Sequence, residues 1–209
     1  MYEYGKGVKQ DYVQAAHWYK KAAVQGQSEA QNSLGWMYEN GKGVKQDDAQ
    51  AISWYKKAAE QGDTKALLNL GIIYKNGKGI AEDFTQSFYW YKKVAEKGDA
   101  NAQLNLGQMY EYGKGTDENY TQAVYWYKKA AEQGDADAQY TLGVMYANGE
   151  GVLEDSVTAY AWWSIGAANG SKTAKSNKPK LAKRMTPADI PKAQALSKEM
   201  LKKNPKLLK

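Results

Sequence analysis

The sequence predicts an all-α fold built from stacked helix hairpins that repeat every 36 residues. The segment Gly41–Ala59 contains the phrase GKGV-x(9)-WYKKAA, which recurs through most of the chain. The glycine that opens the phrase recurs without insertion at Gly5, Gly41, Gly77, Gly113 and Gly149. The tryptophan recurs in step with it at Trp18, Trp54, Trp90, Trp126 and Trp162. A fixed period of this length is typical of small stacked units that share one continuous core.

Each repeat is predicted to contain two helices, helix A and helix B. In the second repeat Ala30, Leu34 and Tyr38 follow helical spacing, as on one face of a helix. Helix A is predicted over Ser28–Glu39, Thr64–Lys75, Ala100–Glu111 and Ala136–Ala147. Helix B, which follows a glycine-rich loop, is predicted over Asp11–Gln25, Asp47–Glu60, Asp83–Lys97, Asn119–Gln133 and Asp155–Asn169.

Residues that favour helix termini mark both ends of helix B. Asp47 and its equivalents suit an N-cap, where the side chain accepts a bond from a backbone N–H. Gly62 and its equivalents suit the left-handed conformation that ends many helices. Asp63 can already cap the next helix A. Because the connection is so short, successive helices are predicted to be antiparallel neighbours.

A second glycine series lies inside helix A, at Gly35, Gly71, Gly107 and Gly143. A glycine there costs about 1 kcal/mol relative to alanine, so its repetition indicates a packing reason. We expect helix B to approach helix A closely at this point, with an aromatic ring of the Trp-Tyr pair against the glycine. The Trp-Tyr pair itself is interpreted as mostly core.

Residues 171–209 break the period and are predicted to form a helical cap, separate from the array of residues 1–170. Ser171–Arg184 resembles a helix A that Pro179 interrupts. A second helix is predicted to start at Thr186-Pro187, with a cap and a first-turn proline. Its apolar side is predicted to contain Ala193, Leu196, Met200 and Leu201.

The repeat pattern A-x(3)-LG-x(2)-Y-x(2)-G-x-GV-x(9)-WY-x-KAA-x(2)-G resembles the Sel-1-like repeat family, relatives of the tetratricopeptide repeat. The tail around Arg184–Pro187 resembles the cap of bacterial members. The resemblance implies a right-handed α/α solenoid with a concave binding surface. It also implies an adaptor role in protein–protein assembly, with a periplasmic or secreted location. No signal peptide is visible in the chain.

Cysteine and histidine are scarce in the chain, and most of its 23 acidic residues are predicted to lie at helix caps or in helix-surface pairs. The chain has no cysteine, and His17 is its only histidine, replaced in the other repeats by Ser53, Tyr89, Tyr125 and Ala161. The GKG loops lack the Lys-Ser/Thr ending of a phosphate-binding loop. The sequence therefore predicts a non-enzymatic protein with no metal site and no cofactor.

The resemblance places the partner-binding surface on helix A, at positions that flank the Leu-Gly pair. These positions vary between repeats while the framework does not, and they form an apolar stripe with polar edges that suits a peptide or a partner helix. The alternative is that some of these side chains pack between neighbouring helices A. The predicted surface comprises Glu29, Asn32, Trp36, Glu39, Lys65, Leu68, Ile72, Lys75, Asn101, Leu104, Gln108, Glu111, Asp137, Tyr140, Val144 and Ala147.

The charge is concentrated at the C-terminus. Residues 171–209 hold 12 Lys+Arg and 2 Asp+Glu, a net of +10, and since the whole chain is +6, residues 1–170 carry −4. Lysines on the solvent side of a terminal helix explain this charge. The alternative function is binding of nucleic acid or an anionic surface through the Lys-rich tail.

The start of the chain aligns with the interior of a repeat, because Met1–Gly5 matches Met109–Gly113. The first helix B is therefore expected to lack most of its helix A partner. The apolar surface left at that end predicts self-association.

Overall fold

The computed structural model describes residues 2, 3, 5 and 9–208, and the regular secondary structure within them is helical. The α-helices are α1 Tyr12–Val24, α2 Ser28–Asn40, α3 Asp48–Glu60, α4 Thr64–Asn76, α5 Phe84–Glu96, α6 Ala100–Glu111, α7 Tyr120–Ala131, α8 Ala136–Asn148, α9 Ser156–Ala168, α10 Lys172–Ala182 and α11 Asp189–Lys203. A short 3₁₀ helix, Pro205–Leu207, follows α11. For the described residues the predicted all-α fold is confirmed.

The helices fall into two compact units, unit 1 (Met1–Val94) and unit 2 (Ala95–Lys209). In unit 1, α2 packs against α1 and α3, and α3 packs against α4. In unit 2, α6 packs against α7, α7 against α8, and α8 against α9. Consecutive helices are thus neighbours within each unit, as the short connections predict.

The predicted N-caps of helix B are confirmed. The Asp47 carboxylate accepts the backbone N–H of Gln50 at 2.9 Å, and the Asn119 amide oxygen accepts that of Gln122 at 2.9 Å. Each bond satisfies one of the first N–H groups of the helix, which have no partner inside it. These caps explain why helix B begins at the same point of each repeat.

The glycine inside helix A lies directly against the ring that follows the repeat tryptophan. A Cβ built on Gly107 would lie 2.6 Å from the Tyr127 ring. The equivalent distances are 2.8 Å for Gly35 and Tyr55, 3.3 Å for Gly71 and Tyr91, and 2.4 Å for Gly143 and Trp163. The predicted close approach is confirmed, and the aromatic involved is the second of the Trp-Tyr pair.

The second glycine of the GKG loop contacts the start of the preceding helix B. A Cβ on Gly43 would lie 2.0 Å from the carbonyl oxygen of Tyr12, and a Cβ on Gly151 would lie 2.4 Å from that of Tyr120. Both glycines also have a positive φ. The loop is therefore a contact between successive repeats as well as a turn.

The two aromatic residues of the pair differ in burial. Tyr55 and Tyr127 are fully buried, whereas Trp18 is 53% exposed and Trp162 is 5% exposed. Trp54 shows the reason, because it packs against a cluster of Ala23, Ala30 and Leu34 from α1 and α2. The tryptophan thus packs back onto the preceding hairpin. Interpreting the pair as core was wrong for Trp18, which has no helix before it among the described residues.

The C-terminal helices depart from the prediction in two places. Helix α10 continues through Pro179 to Ala182, so the predicted interruption is wrong. Proline removes only its own N–H, and its carbonyl still accepts the N–H of Lys183. Helix α11 begins at Asp189, later than predicted, because the Thr186 carbonyl accepts the Asp189 N–H in a separate turn.

The end of the chain attaches to unit 2 by polar contacts. The carbonyl of Leu207 accepts the side-chain amides of Gln139 at 2.8 Å and Asn169 at 2.5 Å. The Asn204 amide donates to the Glu132 carbonyl at 2.8 Å, and α11 packs on α9. The division of the chain after residue 170 stays a prediction.

Candidate functional site

In unit 1 the helix A face exposes large apolar side chains. Trp36 of α2 is 36% exposed, and Ile72, its equivalent on α4, is 45% exposed. Leu68, which lies four residues before Ile72 on α4, is half-buried. The amide of Asn69 donates to the Asn32 side chain at 3.2 Å and so links α4 to α2. Glu29 and Lys65, at the start of each helix, are exposed.

Glu39, another predicted binding residue of unit 1, already has two partners. Its carboxylate accepts the Tyr55 hydroxyl at 2.7 Å and the Lys78 ammonium at 2.8 Å. Burial and the hydrogen bond to Glu39 raise the pKa of the Tyr55 hydroxyl above its usual range. The carboxylate therefore links α2 to α3 and to the loop that follows α4. Lys75, the equivalent residue on α4, is half-buried.

In unit 2 the corresponding face is more polar. Asn101 and Gln108 of α6 are exposed, and Asp137 of α8 is exposed. Leu104 is half-buried and packs against the core cluster of unit 2. Glu111 accepts the hydroxyl of Tyr127, as Glu39 accepts that of Tyr55.

Tyr140 belongs to the packing of unit 2. Its ring stacks on Trp163 with centroids 5.8 Å apart, and its backbone carbonyl accepts the Trp163 indole N–H at 2.9 Å. Its hydroxyl accepts the Asn177 amide at 3.0 Å. Val144 and Ala147 are half-buried against the core cluster that contains Trp163. Tyr140 therefore offers less free surface than Trp36.

Sequence reasoning missed the tyrosine–carboxylate bonds. Each joins a glutamate near the end of helix A to the tyrosine 16 residues later, as for Glu39 and Tyr55. A signal for this was present, because Glu3, Glu39 and Glu111 precede tyrosines at that spacing. Tyr91 is the exception, since Lys75 occupies the glutamate position and burial alone raises the Tyr91 pKa to about 12.

The opposite side, formed by helix B, presents aromatic rings that already have neighbours. Tyr89 is 48% exposed, but Trp90 packs edge-on at 4.7 Å and the Lys93 ammonium lies 5.0 Å from the ring centroid. The exposed His17 packs edge-on against Trp18. Trp18 also lines an open cavity of about 270 Å³ with Tyr2, Glu3, Ala15 and Tyr19. Self-association through this end stays a prediction.

The part of the chain that the structure describes lacks the features of a metal site and of a membrane span. Within it, no cluster of His, Cys, Asp or Glu side chains has the composition of a metal site. Its helices also include none that combines the length and apolarity needed to cross a bilayer.

The Sel1 repeat model matches five consecutive stretches, residues 1–27, 28–63, 64–99, 100–135 and 136–171. The chain therefore belongs to the Sel1 repeat family. A search among curated proteins found no match.

Two solved structures support the same assignment. A Sel1 repeat protein from Oxalobacter formigenes is 38% identical with a TM-score of 0.77, over 83% of this chain and 71% of that one. A protective antigen of uropathogenic Escherichia coli strains, which displays an SLR fold, is 33% identical with a TM-score of 0.54. That match covers 99% of this chain and 52% of the antigen, so this chain spans about half the antigen's length.

The predicted fold class, an α/α solenoid of helix hairpins, is confirmed by the family and by these structures. Sel1 repeat proteins generally act as scaffolds for protein–protein interaction, and the fold is typically non-enzymatic. The chain is thus a member of a family of scaffold proteins. The exposed face of helix A is the candidate site for a partner.

Proposed function

We propose that this protein is a non-enzymatic adaptor that binds a peptide or a helix of a partner protein on its helix A face. One observation carries the proposal. Trp36 and Ile72 occupy the same position of consecutive helices A in unit 1, and both are exposed. The residues that the repeats share, such as Leu34 and Leu70, are completely buried. Large apolar side chains exposed at a variable position are the usual anchors of an interface.

The surroundings of Trp36 and Ile72 support this proposal. The Asn32–Asn69 hydrogen bond fixes two amides between the helices, and Glu29 and Lys65 place opposite charges at the helix starts. An apolar centre with a polar rim is the common anatomy of protein interfaces.

The helix B side of unit 1 supports the proposal because its exposed aromatic rings already have neighbours. The Tyr89 ring is exposed to a similar degree, but Trp90 and the Lys93 ammonium contact it within the same helix. Such contacts stabilise the exposed ring in the absence of a partner protein. Trp36 has no comparable ring or cation contact among the described residues, so its indole gains more from a partner.

The test compares three variants of unit 1 with the wild type. A partner is first captured with the wild-type protein, and its dissociation constant is then measured by fluorescence anisotropy. We expect Trp36→Glu and Ile72→Glu to weaken binding about 30-fold, as the loss of an apolar anchor worth about 2 kcal/mol does. Tyr89→Glu, the matched control on helix B, is expected to bind like the wild type.

Circular dichroism and thermal melting separate binding from folding. All three variants are expected to keep the wild-type helical signal, because the replaced side chains are exposed. Unfolding of Trp36→Glu would show that this side chain belongs to the core. Wild-type affinity in both helix A variants would move the binding surface elsewhere.

A further inference from the structure

Helix α10 extends the row of helices A in unit 2, although it lacks the repeat sequence. Ser171 caps it as Asp135 caps α8, since the Ser171 hydroxyl accepts the Ala174 N–H at 3.3 Å. It packs on α9, and the Asn177–Tyr140 hydrogen bond joins it to α8. Lys180 therefore stands at the position that Gln108 occupies on α6 and Val144 on α8.

The Lys180 ammonium is held in place by a chain of contacts. It donates to the Asn177 side-chain oxygen at 3.1 Å, and the Asn177 amide donates to the Tyr140 hydroxyl at 3.0 Å. Tyr140 is fixed in turn by stacking on Trp163 and by the indole bond to its carbonyl. A cation oriented in this way loses less conformational freedom when it binds an anion than an unrestrained lysine does.

The cations around Lys180 have no counter-charge on their own helix. Residues 172–184 contain five lysines and one arginine but no acidic residue. Lys175, Lys183 and Arg184 are exposed and have no ion-pair partner among the described residues. On α11, by contrast, Lys192 pairs with Asp189 and Lys203 pairs with Glu199. Helix α10 therefore differs from α11 in having no carboxylate of its own to offset its lysines.

We infer that the partner segment bound by unit 2 is acidic where it lies along α10, with one carboxylate on Lys180 and others on Lys183 and Lys175. This inference deepens the proposed adaptor function and rests on it. Opposite charges placed in this way add specificity and speed association.

The dimensions of the basic surface favour an acidic peptide over a nucleic acid. Helix α10 has 11 residues, which makes it about 16 Å long and matches about five residues of extended chain. Elsewhere in unit 2, α8 presents the exposed Asp137 and α6 carries the half-buried Glu111. A long polyanion would meet these carboxylates, whereas a short acidic segment would not.

The test uses a random peptide library displayed on phage and panned on the full-length protein. Peptides rich in Asp and Glu are expected from the wild type and from the control Lys198→Glu/Lys202→Glu, whose exposed lysines lie on α11. Lys180→Glu/Lys183→Glu makes the same change in net charge on α10 and is expected to select no acidic peptides. The neutral variant Lys180→Gln/Lys183→Gln is expected to bind the selected peptide about tenfold more weakly, a change of about 1.4 kcal/mol.

Two further measurements separate the effect of the peptide's charge from the effect of the orientation of Lys180. The selected peptide with Asn for Asp and Gln for Glu is expected to bind the wild type about tenfold more weakly. Tyr140→Phe keeps every charge but removes the acceptor of the Asn177 amide. We expect it to weaken binding of the acidic peptide without changing that of the neutral peptide.

The remaining outcomes overturn the inference in distinguishable ways. Neutral or basic peptides that lose binding in Trp36→Glu would overturn it and leave the adaptor function standing. Failure of any peptide to enrich would overturn both. Binding of oligo-dT or of phosphatidylglycerol vesicles through Lys180 and Lys183, with no acidic peptide selected, would replace the peptide with a polyanion.

Discussion

Two regions of each hairpin are under different physical constraints, namely the buried seam between helices A and B and the exposed face of helix A. The seam repeats one solution, a glycine against an aromatic ring, as in Gly107 and Tyr127. The face changes at every step, with Trp36, Ile72 and Gln108 at equivalent positions. A close-packed contact admits few alternatives, whereas an exposed position admits many. The seam therefore fixes the packing of each hairpin, and the residues of the face can vary without disturbing it.

A second comparison lies inside the seam of unit 1. Tyr55 and Tyr91 both lie against a helix A glycine, but Tyr55 donates to Glu39 and Tyr91 has no hydrogen-bond partner among the described residues. The shared feature is the ring, and the hydroxyl partner varies. Ring packing thus stabilises each hairpin, while the carboxylate adds a local bond.

The largest effect is expected where a glycine contacts backbone. In Gly43→Ala the new Cβ would lie 2.0 Å from the Tyr12 carbonyl oxygen, at a φ of 69°. We expect the free energy of unfolding to fall by about 3 kcal/mol or more, measured by urea denaturation.

Gly26→Ala is the matched control for that prediction. Gly26 also has a positive φ, of 90°, but nothing lies within 4 Å of its added Cβ. Its cost should be only the conformational penalty of about 1–2 kcal/mol. Equal losses in both variants would show that the contact with Tyr12 is unimportant.

A smaller effect is expected in the seam, and it should differ between repeats. Gly107→Ala would bring a Cβ to 2.6 Å from the Tyr127 ring, and Gly71→Ala to 3.3 Å from the Tyr91 ring. We expect Gly107→Ala to lower the free energy of unfolding by about 2 kcal/mol. Gly71→Ala should be nearly neutral, because its smaller clash is offset by the higher helix propensity of alanine, about 1 kcal/mol. The reverse order would contradict the seam geometry.

The buried tyrosine without a partner should make the protein sensitive to alkali. Burial raises the Tyr91 pKa to about 12 in the folded protein, from about 10 in the unfolded chain. The neutral phenol is favoured by folding, so this stability is present below pH 10 and is lost as the pH rises towards 12. Between pH 10 and 11 we expect the free energy of unfolding to fall by about 1 kcal/mol through this group.

Tyr91→Phe checks the assignment of that pH dependence. The free energy of unfolding of the variant, measured in parallel urea titrations, should fall less between pH 10 and pH 11 than that of the wild type. An unchanged slope would show that Tyr91 does not ionise in this range or that its ring is less buried than the structure has it.

A loss of similar size is expected from the hydroxyl of Tyr55. Tyr55→Phe removes the bond to Glu39, whose carboxylate keeps the Lys78 ammonium as a partner. We expect a loss of about 1 kcal/mol, and almost none in Tyr91→Phe at neutral pH. A double-mutant cycle with Glu39→Ala, which removes the acceptor, measures the coupling, and a coupling near zero would contradict the bond.

The candidate site was less predictable than the fold. The sequence could identify which positions vary, and Trp36 and Ile72 are exposed among them. It could not show that Glu39 is bound by Tyr55 and Lys78, or that Tyr140 stacks on Trp163. These contacts join residues on different helices, and the 16-residue spacing from Glu39 to Tyr55 was the one signal in the sequence for any of them. The assignment of a partner to this face stays a proposal.

By itself the sequence determined the 36-residue period, the helices and their caps, because these depend on residues close together in the chain. It also indicated the glycine seam, since a repeated helix-breaking residue needs a packing reason. Only the tertiary structure decided that Trp18 is exposed while Trp162 is buried, and that the loop glycine Gly43 contacts Tyr12 at the start of the preceding helix B. Identical residues in successive repeats have different neighbours, and the neighbours determine how much of a side chain is buried.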